Sequence, residues 1–293
     1  MGTAGGANVT YAEFNTSAFP YRGVIPADAD TKERARPFLD VNADGRLAHT
    51  SPRGGVLWED ATYNDRHVLL AAGPDFDPNQ PGVMVVYFHG NQSILSRDVV
   101  DRQQTVRQLA QSNLNAVLVA PQLAVDANDS SAGNFWRAGA FAQFLDEADD
   151  KLGQLYGTSS GTFRRMPVIV VAYSGGYQAA AYSLVEGGAG GRVRGVVLLD
   201  ALYGEADKFA RWIEASRGGA FFLSAYSSST HDQNVALRAR LERDGVAATN
   251  GIPASLRPGV VAFVDSGDVS HDSFVNVAWT SDPLSAVLSR VER

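Results

Sequence analysis

Apolar runs of strand length recur along this chain from residue 54 onward, and they constrain its fold more than any other feature. They lie at 54–58, 67–72, 83–88, 116–120, 168–172, 195–200, 220–225 and 260–265. The later runs are continuously apolar, which is typical of strands that are covered on both faces. The first two are separated by a short polar segment and are expected to pair antiparallel.

Segments with helical periodicity lie between the runs. Residues 141–155 place their apolar side chains on one stripe, with acidic residues and Lys151 opposite. The segments 205–216 and 233–245 are shorter, and Gly245 is placed to end the second of them. Strands that alternate with helices predict an α/β fold, in which helices cover both faces of a mostly parallel, eight-stranded sheet.

Residues 1–52 contain few apolar runs, and we interpret them as an N-terminal arm packed on the surface of a single domain over 53–293. Within the arm, Asp40, Asn42 and Asp44 alternate and a glycine follows. This spacing is that of the front half of a calcium loop, but Ser51 stands where such a loop has a glutamate. The alternative is an Asx-rich turn.

Composition excludes several classes of protein. The formal net charge is −7 and no basic run occurs, which argues against a nucleic-acid partner. The chain has no cysteine, so disulfides, thiolate metal sites and a cysteine nucleophile are excluded. No apolar run reaches membrane-spanning length, and the N-terminus lacks the features of a signal peptide. We expect a soluble protein, either cytoplasmic or exported with its leader removed; the oligomeric state stays open.

A serine lies at the turn after the fifth apolar run, in the stretch AYSGG from Ala172 to Gly176. A hydroxyl at a strand-to-helix turn projects from the carboxyl end of a sheet, where the next helix supplies free N–H groups. Gly175 lets the backbone N–H after the serine approach an oxyanion. Ser174 is therefore a candidate nucleophile, and its alternative role is that of a helix N-cap.

A second element of the same chemistry follows the run at 83–88, which ends in His89-Gly90-Asn91. In acyl-transfer enzymes with a sheet of this kind, the loop after that strand contributes an oxyanion donor. The backbone N–H groups of Asn91 and Gly175 are therefore the predicted oxyanion hole, and Gly90 gives the loop the freedom to direct its donor inward. The alternative is a plain turn at the end of a strand.

Position along the chain selects the base and the acid. His271 lies a few residues beyond the last run, in the loop from which a base reaches back over the serine. His231, just before a helix, is the alternative base. Asp200 ends an apolar run, and a carboxylate buried there requires a partner. Asp232 lies in the loop where the acid of this architecture is most often found, but it also suits a helix N-cap; we favour Asp200.

Together, the HGN segment at 89–91, the AYSGG stretch at 172–176 and the late His271 resemble the α/β-hydrolase fold, over roughly residues 53–293. The chain departs from the motif of that fold at Ala172, where the first glycine is expected. The resemblance implies a metal-independent Ser-His-Asp mechanism through an acyl-enzyme, with no cofactor. Many relatives insert a lid domain between the two strands at 195–200 and 220–225, and this chain has room there for one helix only.

We therefore expect a serine hydrolase that acts on a carboxylic ester, with a small-molecule ester or amide as its substrate. An amidase or peptidase with the same triad is one alternative, and a non-catalytic binding protein on the same fold is another. Phe135 and Trp136 lie in a long polar insertion at 121–140, and they either line the substrate pocket or pack in the core. Three tyrosines are also expected near the site: Tyr173, Tyr177 and Tyr203.

Overall fold

The computed structural model describes residues 2–4, 7–27 and 32–292. Strands among these residues are, in chain order, β1 (Gly2–Ala4), β2 (Ala7–Glu13), β3 (Val24–Ile25), β4 (Arg36–Pro37), β5 (Val41–Ala43), β6 (Arg46–Thr50), β7 (Val56–Trp58), β8 (His67–Ala72), β9 (Val83–Phe88), β10 (Ala116–Pro121), β11 (Val168–Tyr173), β12 (Val193–Leu199), β13 (Phe221–Tyr226), β14 (Thr249–Asn250) and β15 (Val261–Asp265).

The α-helices of the described residues are α1 (Glu59–Thr62), α2 (Thr105–Gln111), α3 (Ala140–Leu155), α4 (Ser160–Arg164), α5 (Tyr177–Val185), α6 (Ala206–Ala215), α7 (His231–Arg243) and α8 (Pro283–Leu288). A π-helical segment spans Leu95–Arg102, and short 3₁₀ turns occur at Gly133–Trp136, Ser174–Gly176, Gly190–Arg192 and His271–Ser273. None of the helices in the described part of the chain has the length and apolar character that a membrane crossing needs.

A large central sheet organises the molecule, with the strand order β1-β2-β8-β10-β9-β11-β12-β13-β15-β14. The pairs from β1 to β10 are antiparallel, and every pair from β10 to β14 is parallel. All residues of β9, β10, β11 and β13 are buried, in agreement with their continuously apolar sequences. Because the strands run parallel, the loops after β9, β11, β12 and β15 meet at one edge of the sheet.

Helices cover both faces of this sheet. On one face, α3, α5, α6 and α7 contribute buried side chains such as Phe144, Phe209 and Leu241. On the other face, α2 and α8 contribute Leu109 and Leu288. The prediction of a mostly parallel, helix-covered α/β sheet is thus confirmed, and α3, α6 and α7 coincide with the predicted helical segments. Between β12 and β13 the chain forms α6 and no lid domain.

The predicted count of eight strands was wrong, because the central sheet has ten strands among the described residues. Seven of the predicted runs belong to it. The run at 54–58 does not: Gly54 and Gly55 have φ of 100° and 92° and form a turn. Its remaining residues form β7, which pairs with β6 in a separate sheet of β5, β6 and β7. The place beside β8 is taken instead by β2, and the short β1 and β14 extend the two edges.

The N-terminal residues contribute to both the sheet and the core. Strand β2 pairs antiparallel with β8 along its length. The strand is only partly covered, with Val9 buried and Tyr11 41% exposed. Phe14 and Phe38 are fully buried in the main core. These residues therefore pack more deeply than the predicted surface arm over 1–52 would, and the domain boundary at residue 52 stays a prediction.

The Asx-rich segment inside this region is a hairpin turn. Asp44 and Gly45 connect β5 to β6 with φ of 51° and 83°, the backbone of a two-residue turn that favours this pair. Asn42 Oδ1 accepts the Gly45 N–H at 3.2 Å, and Asp40 Oδ1 accepts the Thr50 N–H at 2.7 Å. These oxygens bind backbone, as the turn interpretation predicts. No three His, Asp or Glu side chains of the described residues are grouped so that they could hold a metal ion.

Candidate active site

Ser174 lies at the sharp turn between β11 and α5. Its φ is 51°, a left-handed value that few residues other than glycine adopt. The residue begins a 3₁₀ turn that runs directly into α5 at Tyr177. This geometry, a strained residue between a central parallel strand and a helix, projects the side chain away from the end of the sheet.

Glycines surround Ser174 because other parts of the backbone approach it closely. A Cβ atom at Gly90 would lie 2.7 Å from the Cβ of Ser174. At Gly176 it would lie 2.3 Å from the carbonyl oxygen of Phe88, and at Gly175 2.0 Å from Oδ1 of Asn91. By contrast, the Ala172 methyl is accommodated in the core with no exposed surface. The departure from the usual motif therefore falls at a position with room for one methyl group.

A chain of hydrogen bonds links three of the predicted residues. His271 Nε2 lies 2.8 Å from Ser174 Oγ, and His271 Nδ1 lies 2.7 Å from Asp200 Oδ2. An ionised Asp200 can only accept, so Nδ1 carries the proton and Nε2 accepts from the serine hydroxyl. The structure thus brings together Ser174, His271 and Asp200, which come from the ends of β11, β15 and β12.

Asp200 is fully buried and its carboxylate is saturated with donors. Ser227 donates both its N–H, at 3.0 Å, and its hydroxyl, at 2.8 Å, and the hydroxyl of Thr230 donates at 2.7 Å. Burial alone would raise the pKa of Asp200, but the hydrogen bonds from His271, Thr230 and Ser227 outweigh it and lower the pKa below its ordinary value. Asp200 therefore stays ionised at neutral pH.

The alternative residues lie elsewhere. Asp232 is the second residue of α7, its side chain is 98% exposed, and its carboxylate contacts His231 at 3.1 Å. Neither residue takes part in the hydrogen bonds of Ser174 or His271. Phe135 and Trp136 are both buried in the main core, so they pack there and do not line the cavity.

Two tyrosines hold the imidazole of His271 in place. The Tyr173 ring stacks on it with centroids 5.2 Å apart, and the Tyr173 hydroxyl donates to the His271 carbonyl at 2.8 Å. The Tyr203 hydroxyl lies 3.2 Å from Nδ1. Burial and the charge of Asp200 raise the pKa of Tyr203 to about 12, so this hydroxyl keeps its proton. The ring of His271 is thus restrained from its face and from its edge.

The loop after β9 is held by His89, which is buried. Its Nδ1–H donates to the Gly90 carbonyl at 2.7 Å, and its Nε2 accepts the Leu123 N–H at 2.8 Å. Burial lowers the pKa of His89 to about 4, so the ring stays neutral. In a trans peptide the C=O and the next N–H point in opposite directions. The bond to Gly90 therefore also fixes the direction of the Asn91 N–H.

An open cavity of about 580 Å³ lies over Ser174. Its lining residues are Arg53, Asn91, Gln92, Arg97, Asp98, Arg102, Asn128, Tyr173, Ser174, Tyr203, His271 and Asp272. The side chain of Asn91 is fixed, since its Nδ2 donates to Asn128 at 3.2 Å and its Oδ1 accepts from Ser130 at 3.0 Å. The insertion at 121–140 therefore contributes to one wall of the cavity through its polar residues.

Comparison with solved structures identifies the architecture. The chain is similar to a serine-to-alanine mutant of the feruloyl esterase module from Clostridium thermocellum, complexed with sinapinate, at 15% identity and a TM-score of 0.51, with 94% of each chain covered. The chain has the α/β-hydrolase fold. At this identity the likeness concerns the fold alone.

Two further solved structures are also similar. An S-formylglutathione hydrolase from Agrobacterium tumefaciens matches at 13% identity and a TM-score of 0.45, over 86% of this chain and 98% of that one. A hyperthermophilic esterase from the archaeon Pyrobaculum calidifontis matches at 13% identity and a TM-score of 0.47, over 86% and 85%. No protein-family model and no curated protein matches the chain.

Sequence reasoning missed several residues of the site. Ser227 and Thr230, which bind Asp200, belong to a run of hydroxyl residues at 227–230 that carries no recognisable motif. Arg53 and Asn128 reach the cavity from segments that precede and interrupt the α/β core. The predicted roles of Asn91 and Gly175 as oxyanion donors stay predictions.

Proposed function

We propose that the protein is a serine hydrolase that cleaves a carboxylic ester through a Ser-His-Asp triad. The observation that carries the proposal is the unbroken hydrogen-bond chain from Ser174 through His271 to Asp200, which opens into a cavity at its serine end. A nucleophile, a base within hydrogen-bond reach and a third group that orients the base are the parts that acyl transfer requires.

In the proposed reaction, His271 Nε2 takes the proton of Ser174 as Oγ attacks the ester carbonyl. The tetrahedral oxyanion accepts hydrogen bonds from the backbone N–H groups of Gly175 and Asn91. His271 then protonates the departing alkoxide, which leaves an acyl group on Ser174. Water, deprotonated by His271, attacks this acyl-enzyme and releases the carboxylic acid and the free serine.

Asp200 is proposed to keep the proton on Nδ1 and to stabilise the imidazolium that forms at each step. Its burial and its low pKa support this role, because a carboxylate that stays ionised can interact with a cation throughout the cycle. The close contact of Tyr203 with Nδ1 adds a neutral hydroxyl on the same side of the ring.

An ester is proposed in preference to an amide because the solved structure matched above, of the same fold, is that of an esterase module. Matched para-nitrophenyl acetate and para-nitroacetanilide would separate the two, since only the amide needs efficient protonation of a poor leaving group.

Substitution of single triad members tests the proposal. We expect Ser174→Ala to abolish hydrolysis of para-nitrophenyl acetate, and Asp200→Asn to lower kcat by about 10³- to 10⁴-fold, because loss of the carboxylate favours the wrong tautomer of His271. Asp232→Asn serves as the matched control, since that exposed carboxylate lies outside the hydrogen-bond chain, and its kcat should stay within about twofold of the wild type. A larger loss in Asp232→Asn than in Asp200→Asn would move the acid role to Asp232.

A further inference from the structure

The cavity over Ser174 contains charged side chains that the proposed triad does not use. Three arginines line it, Arg53, Arg97 and Arg102, together with the acids Asp98 and Asp272. Charged side chains that already form ion pairs within the protein are less available to a substrate, so these ion pairs determine which charges can bind a ligand.

Two of the three arginines are already neutralised by the protein. Asp98 is buried, and its two carboxylate oxygens accept from Arg97 at 2.9 Å and from Arg102 at 2.8 Å. Arg97 also donates to Asp126 at 2.7 Å. Arg102 donates to the carbonyl of Asp272 at 3.2 Å. These contacts build one wall of the cavity and leave little free positive charge there.

Arg53 differs from both. It is exposed, and none of the ion pairs among the described residues involves it. Burial raises the pKa of the Tyr177 and Tyr203 hydroxyls, and the nearby positive charge of Arg53 opposes the rise for both. Arg53 lines the cavity together with Tyr203, the tyrosine that contacts His271.

The backbone of Arg53 is held in a closed turn beside the predicted oxyanion loop. Ser51 N–H donates to the Gly55 carbonyl at 3.0 Å, and Arg53 N–H donates to Ser51 Oγ at 3.2 Å. The same Ser51 hydroxyl donates to the carbonyl of Asn128 at 3.0 Å. Asn128 in turn binds the side chain of Asn91. Arg53 is thus presented to the cavity from a fixed position.

We propose that Arg53 binds a carboxylate of the substrate, so that the site selects esters that carry a negative charge next to the bond to be cleaved. This inference rests on the proposed ester hydrolysis and adds the substrate class to it. A guanidinium matches a carboxylate with two parallel N–H···O bonds, and the pair is stronger in a partly enclosed cavity than in bulk water. Asp272, the other acid of the cavity, lies beside His271 and is exposed to solvent.

Two pairs of esters test the proposal, each with one anionic and one neutral member. In the first pair the charge lies on the acyl group: mono-para-nitrophenyl glutarate is the anionic member and para-nitrophenyl butyrate is the neutral member. In the second pair the charge lies on the leaving group: para-acetoxybenzoate is the anionic member and methyl para-acetoxybenzoate is the neutral member. The quantity measured is the ratio of kcat/KM for the anionic member to kcat/KM for the neutral member.

In Arg53→Gln we expect this ratio to fall about tenfold in the pair whose carboxylate reaches residue 53, mainly through KM, because a binding contact is lost. Arg53→Lys should keep part of the preference, since it retains the charge but not the planar fork. Arg165→Gln is the matched control: this exposed arginine at the end of α4 lies outside the cavity. It should leave both ratios within about twofold of the wild type.

If the wild type and Arg53→Gln gave equal ratios for both pairs, the inference about Arg53 would be overturned. The proposed function would still hold in that case if the neutral esters were hydrolysed. If the wild-type protein hydrolysed neither member of either pair and took no fluorophosphonate label, the proposed function would fall, and this inference with it.

Discussion

Ser174 combines a strained backbone with neighbours that lack side chains. Its left-handed φ is imposed by the sharp turn from β11 into α5; Gly90 leaves room for the Ser174 side chain, and Gly176 for the Phe88 carbonyl at the end of β9. Such strain persists only where the surrounding structure holds it, and it is concentrated at functional sites. The strained turn and the neighbouring glycines together expose the Ser174 hydroxyl at the edge of the sheet.

The close approach at Gly176 leads to a stability prediction. In Gly176→Ala the new methyl would meet the Phe88 carbonyl at 2.3 Å, and this backbone atom cannot move without disturbing β9. We expect the free energy of unfolding in urea to fall by about 1–3 kcal/mol. Gly191→Ala is the control, since its methyl would meet no atom within 4 Å. Equal stability of the two variants would contradict the steric account.

At the level of strands and loops, the site depends on hydrogen bonds that hold the loops at the strand ends. The loop after β9 is held by one buried ring, because His89 both donates to Gly90 and accepts from Leu123, the second residue after β10. Gln122 Nε2 adds a further contact to His89 Nε2 at 3.0 Å. With two donors directed at Nε2, a proton there would be repelled, and this agrees with the low pKa that burial causes.

This arrangement makes stability depend on pH. Unfolded His89 binds a proton below its ordinary pKa of 6.5, whereas the folded protein binds it only below about 4. Between these values the unfolded state holds more protons, so the free energy of unfolding falls as the pH falls, by up to about 3 kcal/mol. The loss is absent above pH 6.5 and complete at pH 4.

His89→Asn removes the titrating group but keeps an N–H donor for Gly90. Measured by chemical denaturation at fixed pH values, the wild type should lose stability relative to this variant between pH 6.5 and 4. His231→Asn, at an exposed histidine, should follow the wild type over the whole range. If the difference between the wild type and His89→Asn did not change with pH, the neutral, locked state of His89 would be refuted.

Across the whole molecule, the parallel core was predictable and the N-terminal region was not. Strands such as β9 and β11 are covered on both faces, so burial appears directly in the sequence as a continuous apolar run. Strand β2, between β1 and β8, is only partly buried and its sequence has no continuous apolar run, which is a weaker signal over seven residues. Its pairing with β8 depends on tertiary contacts that no local pattern specifies.

The residues of the site also fall into those that the sequence predicted and those that it did not. Ser174, Asp200 and His271 could be selected because each follows a recognisable strand, and parallel strand ends share one edge. Arg53 could not, since it reaches the cavity from a turn between two strands of the small separate sheet. Ser227 and Thr230 were missed because their role is defined only by contact with Asp200 in the folded chain.

Covalent labelling is the most direct test of whether Ser174 is a nucleophile activated by His271. The protein would be treated with a fluorophosphonate, and the adduct counted by intact mass spectrometry and located by peptide mapping. We expect one adduct, on Ser174, with no labelling in Ser174→Ala and much slower labelling in His271→Ala. Undiminished labelling of Ser174→Ala, or an adduct on any other residue, would contradict it.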